Sequence, residues 1–322
     1  MDEQRYREAE RRLWSHYDIE PTEQRIELAG TGTSIRVQEV GAGEPVVLIH
    51  GGPNAGSIWA PLIEHLDGYR CLILDRPGTG LSDDYVIRAA DLPAIGARFV
   101  PDVLDGLGLD RAHVIASSFG GHLALRSAAA HGDRFARMVQ MASPAAVPGE
   151  HYPPFMRFMR SGLTRRILAL LPPNDRANRS IFRQIGHGAS LDHGRIPEIV
   201  LEWYLALGRY TNTMRNDGEM VGQEILGHLA TVRLDEALLA SVRVPTLFLW
   251  GDDDGFGGVD NGRRIASLLQ HAELEPLPAA GHLPWLDDPL FAAQAVGRFL
   301  SSGEGTARAR TADEIGLESA AA

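Results

Sequence analysis

From about residue 40 onward the chain repeats one rhythm: a short apolar run, a turn of Gly, Pro, Asn or Asp, then a longer stretch with apolar residues at helical spacing. Pro45 to Ile49, Cys71 to Leu74, the run beginning at Val114, and Arg137 to Met141 are mostly apolar, as in strands covered on both faces. Between them, Ser57 to Leu66, Leu92 to Leu107 and Phe119 to His131 predict helices. This alternation predicts an α/β fold, a mostly parallel sheet flanked by helices. Two strands, Gln24 to Leu28 and Ser34 to Val40, come first. Residues 2–17 predict a charged amphipathic helix that packs through Leu13, Trp14 and Tyr17.

After Met141 the rhythm breaks. Residues 148–235 carry helical patterns, Phe155-Met156-Phe158-Met159 and Ile199-Val200-Trp203-Tyr204-Leu207 among them, and no convincing strand. This predicts a helical cap inserted into a core made of residues 1–147 and 236–303. The alternation resumes at Val242 with the strands Val244 to Gly251 and Leu274 to Leu277, and residues 304–322 predict a small, polar, mobile tail.

Candidate chemistry gathers at the ends of the predicted strands. The run Val114-Ile115-Ala116-Ser117-Ser118-Phe119-Gly120-Gly121 is a strand entering a turn with small residues two places before and after Ser118. Such a turn forces its central residue into a strained, usually positive-φ conformation and presses the flanking backbones together. Ala116 and Gly120 fit around Ser118, whereas a nucleophile at Ser117 would put Ile115 and Phe119 in the crowded positions. The plainer alternative is a helix start with a serine N-cap. An exposed hydroxyl needs a base and a group that orients the base. Downstream, Gly251 is followed by Asp252-Asp253-Asp254, and the last strand leads to Gly281-His282-Leu283-Pro284.

In this order of Ser, Asp and His the chain resembles the α/β-hydrolase superfamily across nearly all of residues 25 to 302. The resemblance includes His50-Gly51-Gly52-Pro53 and Asp75-Arg76-Pro77-Gly78-Thr79-Gly80-Leu81-Ser82 after their strands. It implies Ser118 as nucleophile, His282 as base and Asp254, three residues after Gly251, as the orienting acid. Asp252 and Asp253 read as loop residues, His50 as a residue shaping its loop, and His122 as a local competitor that points away from the elbow's mouth. The implied oxyanion hole uses the N–H groups of Phe119 and Gly52, since Pro53 has none to give.

Ser118 separates the chain from the aspartate-nucleophile epoxide hydrolases and haloalkane dehalogenases. Proline iminopeptidases share His-Gly-Gly-Pro but follow it with glycine where Asn54 stands, and carbon–carbon bond hydrolases share Trp250-Gly251-x-x-Asp254. The implied activity is serine hydrolysis through an acyl-enzyme, with an ester or lactone of a small to medium apolar acid as the central expectation. A proline-iminopeptidase-like or carbon–carbon bond hydrolase is the alternative, and a non-hydrolytic lyase, cyclase or ligand-binding member of the fold the alternative of another class. From the cap, Phe158, Trp203 and Tyr204 are candidate substrate contacts, along with Met156 and Met159, although helices at this spacing must also bury a face in packing.

Composition removes several rivals. All 31 basic residues of the 322 are arginine, and without lysine neither a pyridoxal Schiff base nor a Walker phosphate loop can form. A formal net charge of −11 disfavours nucleic acid. The lone Cys71 lies in an apolar strand and reads as a core residue. The segment Met1 to Glu10 lacks a signal-peptide core, and no run approaches the roughly 20 apolar residues of a membrane span, so a cytoplasmic enzyme without metal or cofactor is expected, with a small apolar molecule as partner.

Overall fold

The computed structural model describes residues 1–159, 161–164 and 173–302, with the backbone alone over 157–159. Its centre is an eight-stranded sheet in the order β1-β2-β4-β3-β5-β6-β7-β8. The strands are β1 (Thr22–Leu28), β2 (Thr33–Val40), β3 (Glu44–Ile49), β4 (Tyr69–Leu74), β5 (Ala112–Ser117), β6 (Phe135–Met141), β7 (Thr246–Gly251) and β8 (Ala272–Leu277). β2 alone runs against the direction of the other seven strands, pairing antiparallel with β1 and β4.

The apolar runs are the interior strands, and the period of two divides each between the sheet's faces. Val47 and Ile49 join the core under the helices Leu92–Gly106 and Ser118–His131. Val46 and Leu48 join the opposite core, with Trp59, Trp285 and the N-terminal helix Glu3–His16. The edge strands differ. In β1 exposed charged and polar residues precede the inward Ile26 and Leu28, and β8 alternates Glu with apolar residues and carries Pro276, features that blunt a sheet edge.

The N-terminal helix buries Tyr6, Glu10, Leu13 and Trp14, so its apolar stripe contains one carboxylate. Glu10 is matched by Arg36 of β2, whose Nη1 and Nη2 donate to its two oxygens at 2.9 and 2.7 Å. Ser57 and Tyr6 hydroxyls donate to the same carboxylate at 2.6 and 3.2 Å, and Asp75 lies 3.4 Å from Arg36. Removing one member of a buried charge cluster leaves the others uncompensated. Arg36→Leu is therefore expected to lower unfolding free energy by about 3 to 5 kcal/mol, read as an earlier urea midpoint. Glu10→Gln, which keeps most hydrogen bonds, should cost less.

The predicted helix at Ser57 to Leu66 is shorter and tighter than expected, a 3₁₀ turn Gly56–Trp59 running into the four-residue α-helix Ala60–Ile63. Between β6 and β7 the described residues hold helices and no strand, including Pro154–Met159, Asp175–Phe182, Gly188–Asp192, Glu198–Tyr210, Thr213–Glu219 and Glu236–Ser241. Two π-turns, Arg183–His187 and Met220–Ile225, interrupt them. The tail expected over 304–322 lies outside the described residues. Among those residues no helix is long and apolar enough to cross a membrane.

Candidate active site

Ser118 follows the last residue of β5 and begins the helix Ser118–His131 with φ 51°, the left-handed region an L-residue occupies only when its surroundings impose it. Small size is demanded at Gly120 by the end of β3 and not by Ala116. A Cβ on Gly120 would lie 2.3 Å from the Ile49 carbonyl oxygen and 2.6 Å from that of His50, and Ala116 is fully buried. Of the two adjacent serines, Ser118 is partly exposed, while Ser117 is buried and its hydroxyl has no partner.

Asp252 and Asp253 are exposed, and Asp254 turns inward. Its carboxylate lies 2.9 and 3.0 Å from Nδ1 of His282 and accepts the backbone N–H groups of Ser143 at 3.1 Å and Phe256 at 2.9 Å. The carboxylate fixes the tautomer by accepting a hydrogen bond from Nδ1–H, which leaves Nε2 with a free lone pair. That Nε2 is buried and has no hydrogen-bond partner. The parallel strands β5, β6, β7 and β8 end on the same side of the sheet, so Ser118, the 142–145 turn, Asp254 and His282 share one edge. That turn ties the two halves together, because Ala145 N–H donates to the Ser118 carbonyl at 3.0 Å and Ser143 to Asp254.

The His50-Gly51-Gly52-Pro53 loop runs directly over the elbow. A Cβ on Gly51 would lie 2.7 Å from Cβ of Ser118 and 3.4 Å from its Oγ. His50 is buried; its Nε2 accepts the Arg76 N–H at 3.3 Å, so its Nδ1 donates to the Gly51 carbonyl at 2.6 Å. Burial and the nearby Arg76 guanidinium hold its pKa well below the ordinary imidazole value, which keeps the ring neutral. Arg76 also donates to the His50 and Gly51 carbonyls at 3.0 and 2.9 Å and pairs with Asp217 at 2.7 Å. Desolvation raises the Asp217 pKa, with Arg76 opposing the shift.

His122 is engaged elsewhere: its Nδ1 donates to the Ala145 carbonyl at 2.9 Å and its Nε2 accepts from Arg126 at 2.8 Å. Burial, with Arg126 adding to it, lowers its pKa to about 3. Tyr204 lies against the glycine loop, its hydroxyl donating to the Pro53 carbonyl at 3.2 Å. Trp203, the neighbouring candidate, is fully buried in the core that includes Tyr6, Leu13 and Trp14, on the side of its helix that meets the N-terminal helix. The side chains of Phe158 and Met159 lie outside the described residues. Met156 joins Ile185, Leu226 and Phe256 in a small apolar cluster, and the Phe256 ring sits 4.3 Å from that of His282.

The sequence reading missed Phe256, although its place two residues after Asp254 could have marked it. It also missed Arg76 with Asp217, since nothing in Asn216-Asp217-Gly218 singles out that carboxylate, and Glu150. Glu150 accepts from Ala146 N–H at 2.7 Å and the Tyr152 hydroxyl at 2.8 Å, and burial pushes its carboxyl up to about 8, with Asp254 adding a smaller upward effect. Among the described residues no cluster of three or more His, Cys, Asp or Glu could hold a metal.

A serine on a strained strand-to-helix turn, a carboxylate–imidazole pair after the last two parallel strands, β7 and β8, and a glycine loop across the nucleophile agree with the match of residues 44–289 to the model for the alpha/beta hydrolase fold. The chain belongs to that family and stands among the α/β-fold hydrolases. It is similar to a 2-hydroxy-6-oxononadienedioate/2-hydroxy-6-oxononatrienedioate hydrolase of Paraburkholderia phymatum, 29% identical over 265 residues that cover 78% of this chain and 86% of the relative. A 2-hydroxy-6-oxo-6-phenylhexa-2,4-dienoate hydrolase of Comamonas testosteroni is 27% identical over 256 residues, covering 77% and 84%. Among solved structures, carboxylesterase CesB of Bacillus subtilis superposes with a TM-score of 0.73 at 21% identity over 93% of this chain and 98% of that one, a likeness of fold.

Proposed function

We propose that the protein is a serine hydrolase that cleaves an ester or lactone of a small to medium apolar acid. The observation that carries this reading is the His282 ring, bound to Asp254 through Nδ1 and buried with an unpartnered Nε2, at the strand-end edge that also presents Ser118. Nε2 takes the Ser118 proton as Oγ attacks the carbonyl carbon, and Asp254 stabilises the imidazolium that forms. The N–H groups of Gly52 and Phe119 receive the oxyanion. Collapse returns the proton to the leaving group, and His282 then activates a water that releases the acid and restores Ser118. The hydrogen bonds from Arg76 to the His50 and Gly51 carbonyls hold the loop that carries the Gly52 N–H. In this reading residues 148–235 form the cap, with Met156, Ile185, Leu226 and Phe256 as the apolar wall beside the base.

Cleavage of a carbon–carbon bond is the second reading, favoured by the two curated relatives, both named as hydrolases of oxo-dienoate acids. Arg76 does not decide between the two readings: its Nε and Nη2 are engaged by the His50 and Gly51 carbonyls and Asp217, while its buried Nη1 has no partner. A fluorophosphonate probe should label Ser118, and p-nitrophenyl esters of graded chain length should be turned over with a higher kcat/KM than 2-hydroxy-6-oxo-6-phenylhexa-2,4-dienoate. Preference for the dienoate would select the second reading, and absence of labelling would reject both. Met156→Ala or Leu226→Ala should change the kcat/KM ratio between short and long esters by tens of times, since one methylene in an apolar pocket is worth about 1 to 3 kcal/mol. Trp203→Ala should destabilise the protein and leave that ratio alone.

A further inference from the structure

Three successive backbone N–H groups carry the turn that holds His282, and each has its own acceptor. Gly281 donates to Oδ2 of Asp287 at 2.8 Å, His282 to the Ile185 carbonyl at 2.9 Å, and Leu283 to Nε2 of His187 at 3.1 Å. Two of these acceptors belong to the π-turn Arg183–His187, far away in sequence. His187 itself is fully buried, and its Nδ1 lies 2.9 Å from Oδ2 and 3.1 Å from Oδ1 of Asp287, which also accepts the Ser190 hydroxyl. Because the Leu283 N–H must find a lone pair on Nε2, the His187 proton sits on Nδ1 and is donated to Asp287.

The backbones also interlock. Gly186 has φ 104°, and a Cβ there would lie 2.1 Å from the Asp253 carbonyl oxygen and 2.8 Å from Cα of Gly281. The π-turn thus packs against both the loop carrying Asp254 and the turn carrying His282. A π-turn leaves carbonyls off the regular ladder, and here the Ile185 carbonyl is spent on the base's own N–H.

We infer that His187, with Asp287, is a positioning pair for the catalytic histidine: a second buried imidazole–carboxylate couple, lent by the helical segment, that holds the His282 backbone so its Nε2 reaches Ser118. The inference rests on the serine-hydrolase reading for its kinetic consequence. A base displaced by about 1 Å can cost on the order of 10²-fold in rate with little change in substrate binding. A residue that merely packed would lower stability without this split.

The experiment compares His187→Leu, which removes acceptor and donor, with His187→Gln, whose carbonyl can still accept the Leu283 N–H. The readouts are kcat and KM on an ester, the rate of fluorophosphonate labelling, thermal midpoint, and the low-field NMR signal of the proton shared by His282 and Asp254. His187→Leu should lose about 10- to 100-fold in kcat and labelling rate with KM within about twofold, and its low-field proton should broaden. His187→Gln should recover most of the rate and keep the signal. A folded His187→Leu with the wild-type rate and signal overturns the inference, as does His187→Gln falling equally far. If His187→Leu does not fold, Asp287→Asn decides, because its amide nitrogen must face one of the donors Asp287 now serves; a wild-type kcat there overturns the inference and a tenfold loss at constant KM supports it. Failure of the wild-type protein to label would reject the serine-hydrolase reading, while the NMR comparison would still decide the positioning role.

Discussion

Ser118→Ala is expected to remove turnover by on the order of 10⁴ to 10⁶, and His282→Ala by a similar factor, because nucleophile and base act as one unit and losing either leaves only the oxyanion donors and binding. The thermal midpoint should barely move in Ser118→Ala, since alanine meets the same positive φ of 51° that serine already tolerates. Ser117→Ala is the informative control. The Ser117 hydroxyl is buried without a partner, so its removal relieves an unsatisfied group and should leave the protein as stable or slightly more so, with full activity. Steady-state rates on a p-nitrophenyl ester and fluorophosphonate labelling followed by mass spectrometry separate the two serines. Retained esterase activity in Ser118→Ala with loss in Ser117→Ala would sink the elbow assignment.

The discrimination between those serines was available in the sequence because small residues, Ala116 and Gly120, flank Ser118, although the crowding at Gly120 comes from the Ile49 and His50 carbonyls. The sheet was legible for a related reason. Strands buried on both faces are largely apolar, and Val46 to Ile49 of β3 and Val114 to Ala116 of β5 are written that way. Pairings across long separations were not legible. Asp217 reaches Arg76 across 141 positions and His187 reaches Asp287 across 100, and neither leaves any local pattern. Trp203 shows the limit on helices: its spacing announces a buried face, and only the packing partner, here the N-terminal helix, decides whether that face meets substrate or core.

The three aspartates after Gly251 give the second large effect. Asp254→Asn is expected to lower kcat by about 10⁴, whereas Asp252→Asn and Asp253→Asn should leave it within about twofold, as exposed substitutions rarely change stability by more than about 0.5 kcal/mol. Asp254 faces donors only: the Ser143 and Phe256 N–H groups and Nδ1 of His282. An asparagine there has one acceptor atom and one NH₂ group, so its nitrogen must oppose one of those donors. The two backbone N–H groups cannot change, but the imidazole can. His282 then moves its proton to Nε2 and accepts the amide at Nδ1, a tautomer that can no longer take the Ser118 proton. The fold should survive with one backbone hydrogen bond lost, because Oδ1 serves Phe256 and Oδ2 serves Ser143 and the amide nitrogen must replace one of them. Labelling by fluorophosphonate should slow in parallel with kcat, and the low-field proton between His282 and Asp254 should vanish from the NMR spectrum. Equal losses at all three aspartates would instead assign the effect to the shape of the loop, and the acid would have to be sought elsewhere along the strand ends.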